Sequence, residues 1–247
     1  MTTQSEFIDI PASDGATMRG YLARPQGSEI LPGVLVYMEI FGINSHIREV
    51  TERIAAEGFV ALAPDYFHRT GPGIELGYDD EGMAEGMKHL GQLDAEQMIA
   101  DAQAAVAALE GRDDVGGAGI GAMGFCIGGH MTYLTACATG IKAAASYYGG
   151  GIAAPKGPGG GASTLSRTTG IEGRIHCYFG GQDPMIPSDQ VDAVRKALAD
   201  ADARHDVYVY EDANHGFNCD QRASFNEAAA ADAWARTVSL FNEELRG

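Results

Sequence analysis

One segment of the chain limits its fold more than any other. From Val115 to Ile141 there is no Asp, Glu, Lys or Arg, and the stretch is dense in glycine. It is long enough to cross a bilayer, but its glycines and His130 suit a buried strand, a tight turn and a buried helix better. At its centre stands Gly124-Phe125-Cys126-Ile127-Gly128-Gly129. An apolar strand over 118–125 would run into the turn, and a helix over 126–138 would leave it. A side chain held at such a sharp strand-to-helix turn needs glycine two residues to either side, because a Cβ there meets neighbouring backbone. The helix start aims free N–H groups at the turn, which favours a thiolate and offers the Ile127 N–H to a developing oxyanion.

The rest of the chain extends this strand–turn–helix unit. Short apolar runs at 32–38, 59–63, 118–125, 142–148, 174–179 and 206–210 alternate with helical patterns at 45–56, 94–110, 126–138, 188–201 and 227–245. Near-continuous apolar runs belong to strands covered on both faces, hence to a mostly parallel, doubly wound sheet with helices on both sides. Residues 17–23 alternate more and suit an antiparallel N-terminal edge. Ser45 is the expected cap of the first helix. No internal repeat or linker divides the 247 residues, so a single α/β domain is expected.

Two connections are long, 67–93 and 149–173, the second with nine glycines in 25 residues. Both follow strand ends, the edge where open α/β sheets bind ligands, and both should rim the site. The glycine-rich one reads as a flexible connector or as a lid.

Charge and cysteine content narrow the setting. A formal charge of −17 opposes nucleic-acid binding. The first residues carry acids where a secretory leader needs a basic start. Four widely spaced cysteines with no CxxC argue for a reducing, cytoplasmic location.

Other chemistries can be read from the same residues. Gly119, Gly121 and Gly124 spell G-x-G-x-x-G, but the acid required about 20 residues on is absent, since no Asp or Glu occurs from Val115 to Ile171. Cys126 and His130 lie four apart on a helix, yet zinc needs two further ligands at suitable spacing; no metal and no cofactor is expected. A nucleophile needs a base and an orienting acid. Asp183, in Gly180-Gly181-Gln182-Asp183, and His215, in His215-Gly216-Phe217, both stand just beyond strand ends, in the order nucleophile–acid–histidine. Asp65 is read as a loop-anchoring carboxylate. Glu39 ends the first long apolar strand and would be costly if buried unpaired; Ile40, next to it, is placed to offer a second oxyanion N–H.

Taken together, Met38–Gly42 (MEIFG), Ala63–Phe67 (APDYF), GFCIGG, GGQD and HGF resemble the dienelactone hydrolase family of carboxymethylenebutenolidase-like enzymes, over essentially the whole chain. The resemblance implies an α/β-hydrolase fold, with Cys126 as nucleophile, His215 as base, Asp183 as its partner and Glu39 helping to activate the thiol. Ile40 and Ile127 would form the oxyanion hole. Phe41, Tyr148, Phe217 and Arg222 are the candidate substrate contacts. The best-studied members hold a substrate carboxylate with two arginines; here no Arg falls between Arg69 and Arg112, and Cys219 stands four residues past His215. Arg222 binds an anion, pairs with Glu39 or simply lies on the surface.

A thiol nucleophile restricts the substrate. With a free thiol pKa of about 8.5, a thiolate leaves a tetrahedral adduct more readily than an ordinary alkoxide. Enol lactones, enol esters and aryl esters are therefore expected substrates, cleaved by a monomer or homodimer acting on small molecules away from membranes. Two rivals remain: a non-catalytic homologue that binds a small ligand, and a redox protein pairing Cys126 with Cys219.

Overall fold

A computed structural model describes residues 2–246. Eight strands form one sheet in the order β1-β2-β4-β3-β5-β6-β7-β8. These are β1 (Thr3–Pro11), β2 (Thr17–Pro25), β3 (Leu31–Tyr37), β4 (Val60–Pro64), β5 (Val115–Phe125), β6 (Ala143–Tyr147), β7 (Arg174–Gly180) and β8 (Arg204–Tyr210). The pairs β1–β2 and β2–β4 are antiparallel; every later pair is parallel. Within β3, β4 and β6 nearly every residue is buried, as expected for strands covered on both faces.

The described residues include six α-helices: α1 (Ser45–Ala56), α2 (Asp80–Leu90), α3 (Ala95–Glu110), α4 (Ile127–Ala138), α5 (Ser188–Asp200) and α6 (Glu227–Leu245). On one face α1 and α6 meet, with the Arg53 guanidinium 3.9 Å above the Trp234 ring. α3 packs on α4. This is the α/β-hydrolase arrangement expected from the sequence. No described helix is long and apolar enough to cross a membrane.

Four local features differ from the sequence reading. β1 was not foreseen, because an outer strand with six of nine residues exposed carries little apolar signal. β5 begins at Val115 rather than at 118. α1 is capped by Asn44, whose Oδ1 accepts the Ile47 N–H at 3.2 Å. Ser45 instead donates to Gln221 Oε1 at 3.0 Å.

The fourth is α2, inside the long connection 67–93. Its interior holds Gly82 and Gly86, each about 1 kcal/mol less favourable in a helix than Ala, so its pattern is weak. Gly86 has a tertiary cause: a Cβ there would lie 2.6 Å from the Ile40 carbonyl oxygen. The helix thus seats directly on the segment after β3. Asp65 anchors the connection before it, accepting from Phe67 N–H at 3.2 Å and Gly73 N–H at 2.7 Å.

Candidate active site

The turn between β5 and α4 holds Cys126 at φ 58°, ψ −121°. A non-glycine residue in that region carries strain, which packing must hold in place. The surrounding contacts show how. Its N–H donates to the Tyr147 carbonyl at 3.1 Å, and its own carbonyl accepts the N–H groups of Gly129 at 2.9 Å and His130 at 3.2 Å. A Cβ on Gly124 would come 2.3 Å from the Gly128 carbonyl oxygen, and one on Gly128 would come 2.4 Å from that of Met38. The flanking glycines are therefore steric requirements of the turn.

Two carriers of proton-transfer chemistry reach the same edge from β7 and β8. His215 Nδ1 lies 2.7 Å from Asp183 Oδ2, and the other oxygen of Asp183 accepts the Met185 N–H at 2.8 Å. Both side chains are buried. Burial opposes a charge on the imidazole, but the hydrogen bond to Asp183 and the interaction with Cys126 outweigh it and push His215 up to about 10. Nε2, the nitrogen not held by Asp183, is buried and has no hydrogen-bond partner. Cys126 and His215 face one cleft of about 400 Å³. The N–H groups of Ile40 and Ile127 donate to no backbone carbonyl.

Beneath the cleft, Glu39 is almost fully buried and pairs with Arg222, Nη1 to Oε1 at 2.9 Å. Its second oxygen, Oε2, has no partner. Arg222 also lies 5.7 Å from the Phe41 ring centre and 5.6 Å from that of Tyr78. Tyr148 takes φ 37°. Its hydroxyl is buried without a partner, and burial first, then the charge of Glu39, holds its pKa well above the usual phenol value. Its ring meets that of His215 edge-on at 5.1 Å.

Of the four candidate substrate contacts, none lies on the cleft wall. Phe41, Tyr148 and Phe217 are buried beneath it, and Arg222 is turned to Glu39. Sequence patterning did not separate side chains that support a site from those that face it. The wall is instead largely apolar, with Leu93, Ile127, Ala154, Pro158 and Met185, and carries one lysine, Lys156. The one sequence signal for Lys156 is that it is the sole charged residue between Lys142 and Arg167.

Both long connections supply cleft residues, Leu90 to Leu93 from one and Gly150 to Gly159 from the other. The glycine-rich one is tied down by His130, whose Nδ1 contacts the Gly150 carbonyl at 2.9 Å and whose Nε2 contacts Thr164 Oγ1 at 2.7 Å. Tyr133 adds a hydroxyl contact to Thr168 at 2.7 Å. With both ring nitrogens engaged, His130 has none left for a metal beside Cys126. Gly121 and Gly124 lie within β5 rather than in a phosphate-binding loop.

A model of the dienelactone hydrolase family matches residues 18–245. A Synechocystis sp. protein named "Putative carboxymethylenebutenolidase" is 40% identical over 244 residues, covering 98% of each chain. A Pseudomonas putida protein named "Carboxymethylenebutenolidase" is 27% identical over 237 residues, covering 96% of this chain and 95% of its own. The crystal structure of a "Putative Dienelactone Hydrolase" from Klebsiella pneumoniae superposes with a TM-score of 0.88 at 31% identity, covering 98% of this chain and 100% of that one.

Proposed function

The chain belongs to the dienelactone hydrolase family and is an ester or lactone hydrolase, and from that premise we propose that it cleaves activated esters and enol lactones through Cys126, His215 and Asp183 by way of an acyl-thioenzyme. The observation that carries the proposal is the buried His215: Asp183 grips one nitrogen at 2.7 Å, while the other is unpartnered in the cleft shared with Cys126. Asp183 fixes the ring and stabilises its protonated form, so His215 takes the thiol proton as the Cys126 sulfur attacks.

Attack of the Cys126 sulfur on the carbonyl carbon makes a tetrahedral oxyanion, which accepts hydrogen bonds from the Ile40 and Ile127 N–H groups. Collapse of the adduct expels the enolate or aryl oxide, which takes the proton from His215. Water, deprotonated by the now neutral imidazole, attacks the thioester. The carboxylic acid leaves and the sulfur returns to its starting state. The unpartnered Oε2 of Glu39 is a second acceptor for the thiol proton, and Arg222 holds that carboxylate in place. Phe41, Tyr148 and Phe217 support the site from below, while the apolar cleft wall takes the body of the substrate. The protein acts in the cytoplasm, as a monomer or homodimer, without cofactor.

The test is a panel of p-nitrophenyl and enol esters, an enol lactone and a matching ethyl ester, with Cys126→Ala as control. Turnover of the activated substrates, weak turnover of the ethyl ester and loss of all activity in Cys126→Ala are expected. Wild-type rates in Cys126→Ala would overturn the proposal.

A further inference from the structure

A second cluster of ligating side chains lies outside the cleft, where the first turn of α1 meets the segment after His215. His46, Cys219 and Asp220 bring one ligand atom each to within 4.8 Å of one another. His46 and Cys219 are buried; Asp220 is exposed. His46 Nδ1 stands 3.7 Å from Asp220 Oδ1, too far for a hydrogen bond. His46 Nε2 is buried without a partner. Nδ1, the ring nitrogen nearer Asp220, is thus left without that hydrogen bond, as a ligand position requires.

From this convergence we infer that His46, Cys219 and Asp220 form a binding site for a divalent transition cation of the zinc class. The chemistry of the donors selects that class: one sulfur, one imidazole nitrogen and one carboxylate oxygen match zinc, whereas magnesium and calcium take oxygen ligands. Zinc binds sulfur at about 2.3 Å and nitrogen or oxygen at about 2.0–2.2 Å, so the three atoms need only close slightly around the ion. Exposed Asp220 is the ligand free to move. Binding replaces the Cys219 thiol proton with the ion and releases that proton to solvent. A water completes the fourth position.

Such an ion would clamp α1 to the segment that carries both His215 and Arg222. Cys219 already closes that segment through its N–H on the Gly216 carbonyl at 3.0 Å and its carbonyl on the Arg222 N–H at 3.1 Å. The site does not depend on the proposed catalytic chemistry, and the experiment separates the two.

Protein freed of metal by chelator is titrated with Co²⁺ alone, and the thiolate-to-cobalt absorption in the near ultraviolet is followed. One equivalent should bind and be displaced by Zn²⁺. The signal should persist in Cys126→Ala, which removes the sulfur in the cleft, and vanish in Cys219→Ala. Because Cys219 is buried, Asp220→Asn on the surface serves as a second variant, expected to weaken Co²⁺ binding by about tenfold or more. No thiolate absorption, a signal lost in Cys126→Ala but kept in Cys219→Ala, or unchanged affinity in Asp220→Asn would each overturn the assignment.

Discussion

Replacing Gly128 by Ala puts helix propensity and tertiary packing in opposition. Gly128 lies in the first turn of α4, where Ala is favoured over Gly by about 1 kcal/mol on propensity alone. The structure predicts the opposite sign. The added Cβ would sit 2.4 Å from the Met38 carbonyl oxygen and 2.5 Å from that of Tyr37, so α4 and the end of β3 must separate by about 1 Å to reach ordinary contact. Those two segments carry Ile127 and Ile40, the two N–H groups assigned to the oxyanion. Overpacking of this kind costs about 1–3 kcal/mol, and each kcal/mol lowers Tm by about 2–4 °C in a chain of this size. A misplacement of about 1 Å in a reacting constellation costs about 100-fold in rate. Gly128→Ala should therefore melt several degrees lower and lose about 100-fold in kcat/KM on an activated ester, with the loss mainly in kcat. Calorimetry and steady-state kinetics read both quantities. An equal or higher Tm with kcat intact would show that the turn is not sterically closed and refute the reasoning.

Two further predictions rest on the charged groups. His215 is pushed up to about 10 in the folded protein, above the unfolded value of about 6.5. Its contribution to stability is thus complete below about pH 6.5 and is lost as pH rises toward 10; Asp183→Asn should lower stability at neutral pH and flatten this decline, measured as Tm against pH, and an unaltered slope would count against the coupling. Removing Arg222 strands the buried Glu39 carboxylate, and breaking a buried pair costs about 3–5 kcal/mol, the upper limit here because Arg222 keeps some exposure. Arg222→Met should be markedly less stable in urea unfolding than the double variant with Glu39→Gln, and equal losses in the two would deny the pair its role.

What the chain determined by itself was local and periodic. The charge-free stretch around Cys126 requires a strand, a sharp turn and a helix, because only glycine fits beside the Met38 and Gly128 carbonyls. Apolar runs with period-free burial required a parallel sheet, and chain ends of those runs placed Cys126, Asp183 and His215 on one edge. Tertiary structure alone decided the rest. β1 and α2 are stabilised by what they pair with or pack on rather than by their own pattern, as the contact of Gly86 with Ile40 illustrates. Whether Arg222 met an anion or Glu39 depended on a contact 183 residues apart in sequence, and His46 met Cys219 and Asp220 across a similar separation. Periodicity reports which face of an element is buried; it carries no information on which distant side chain closes against that face, because that choice is made by the packing of whole layers.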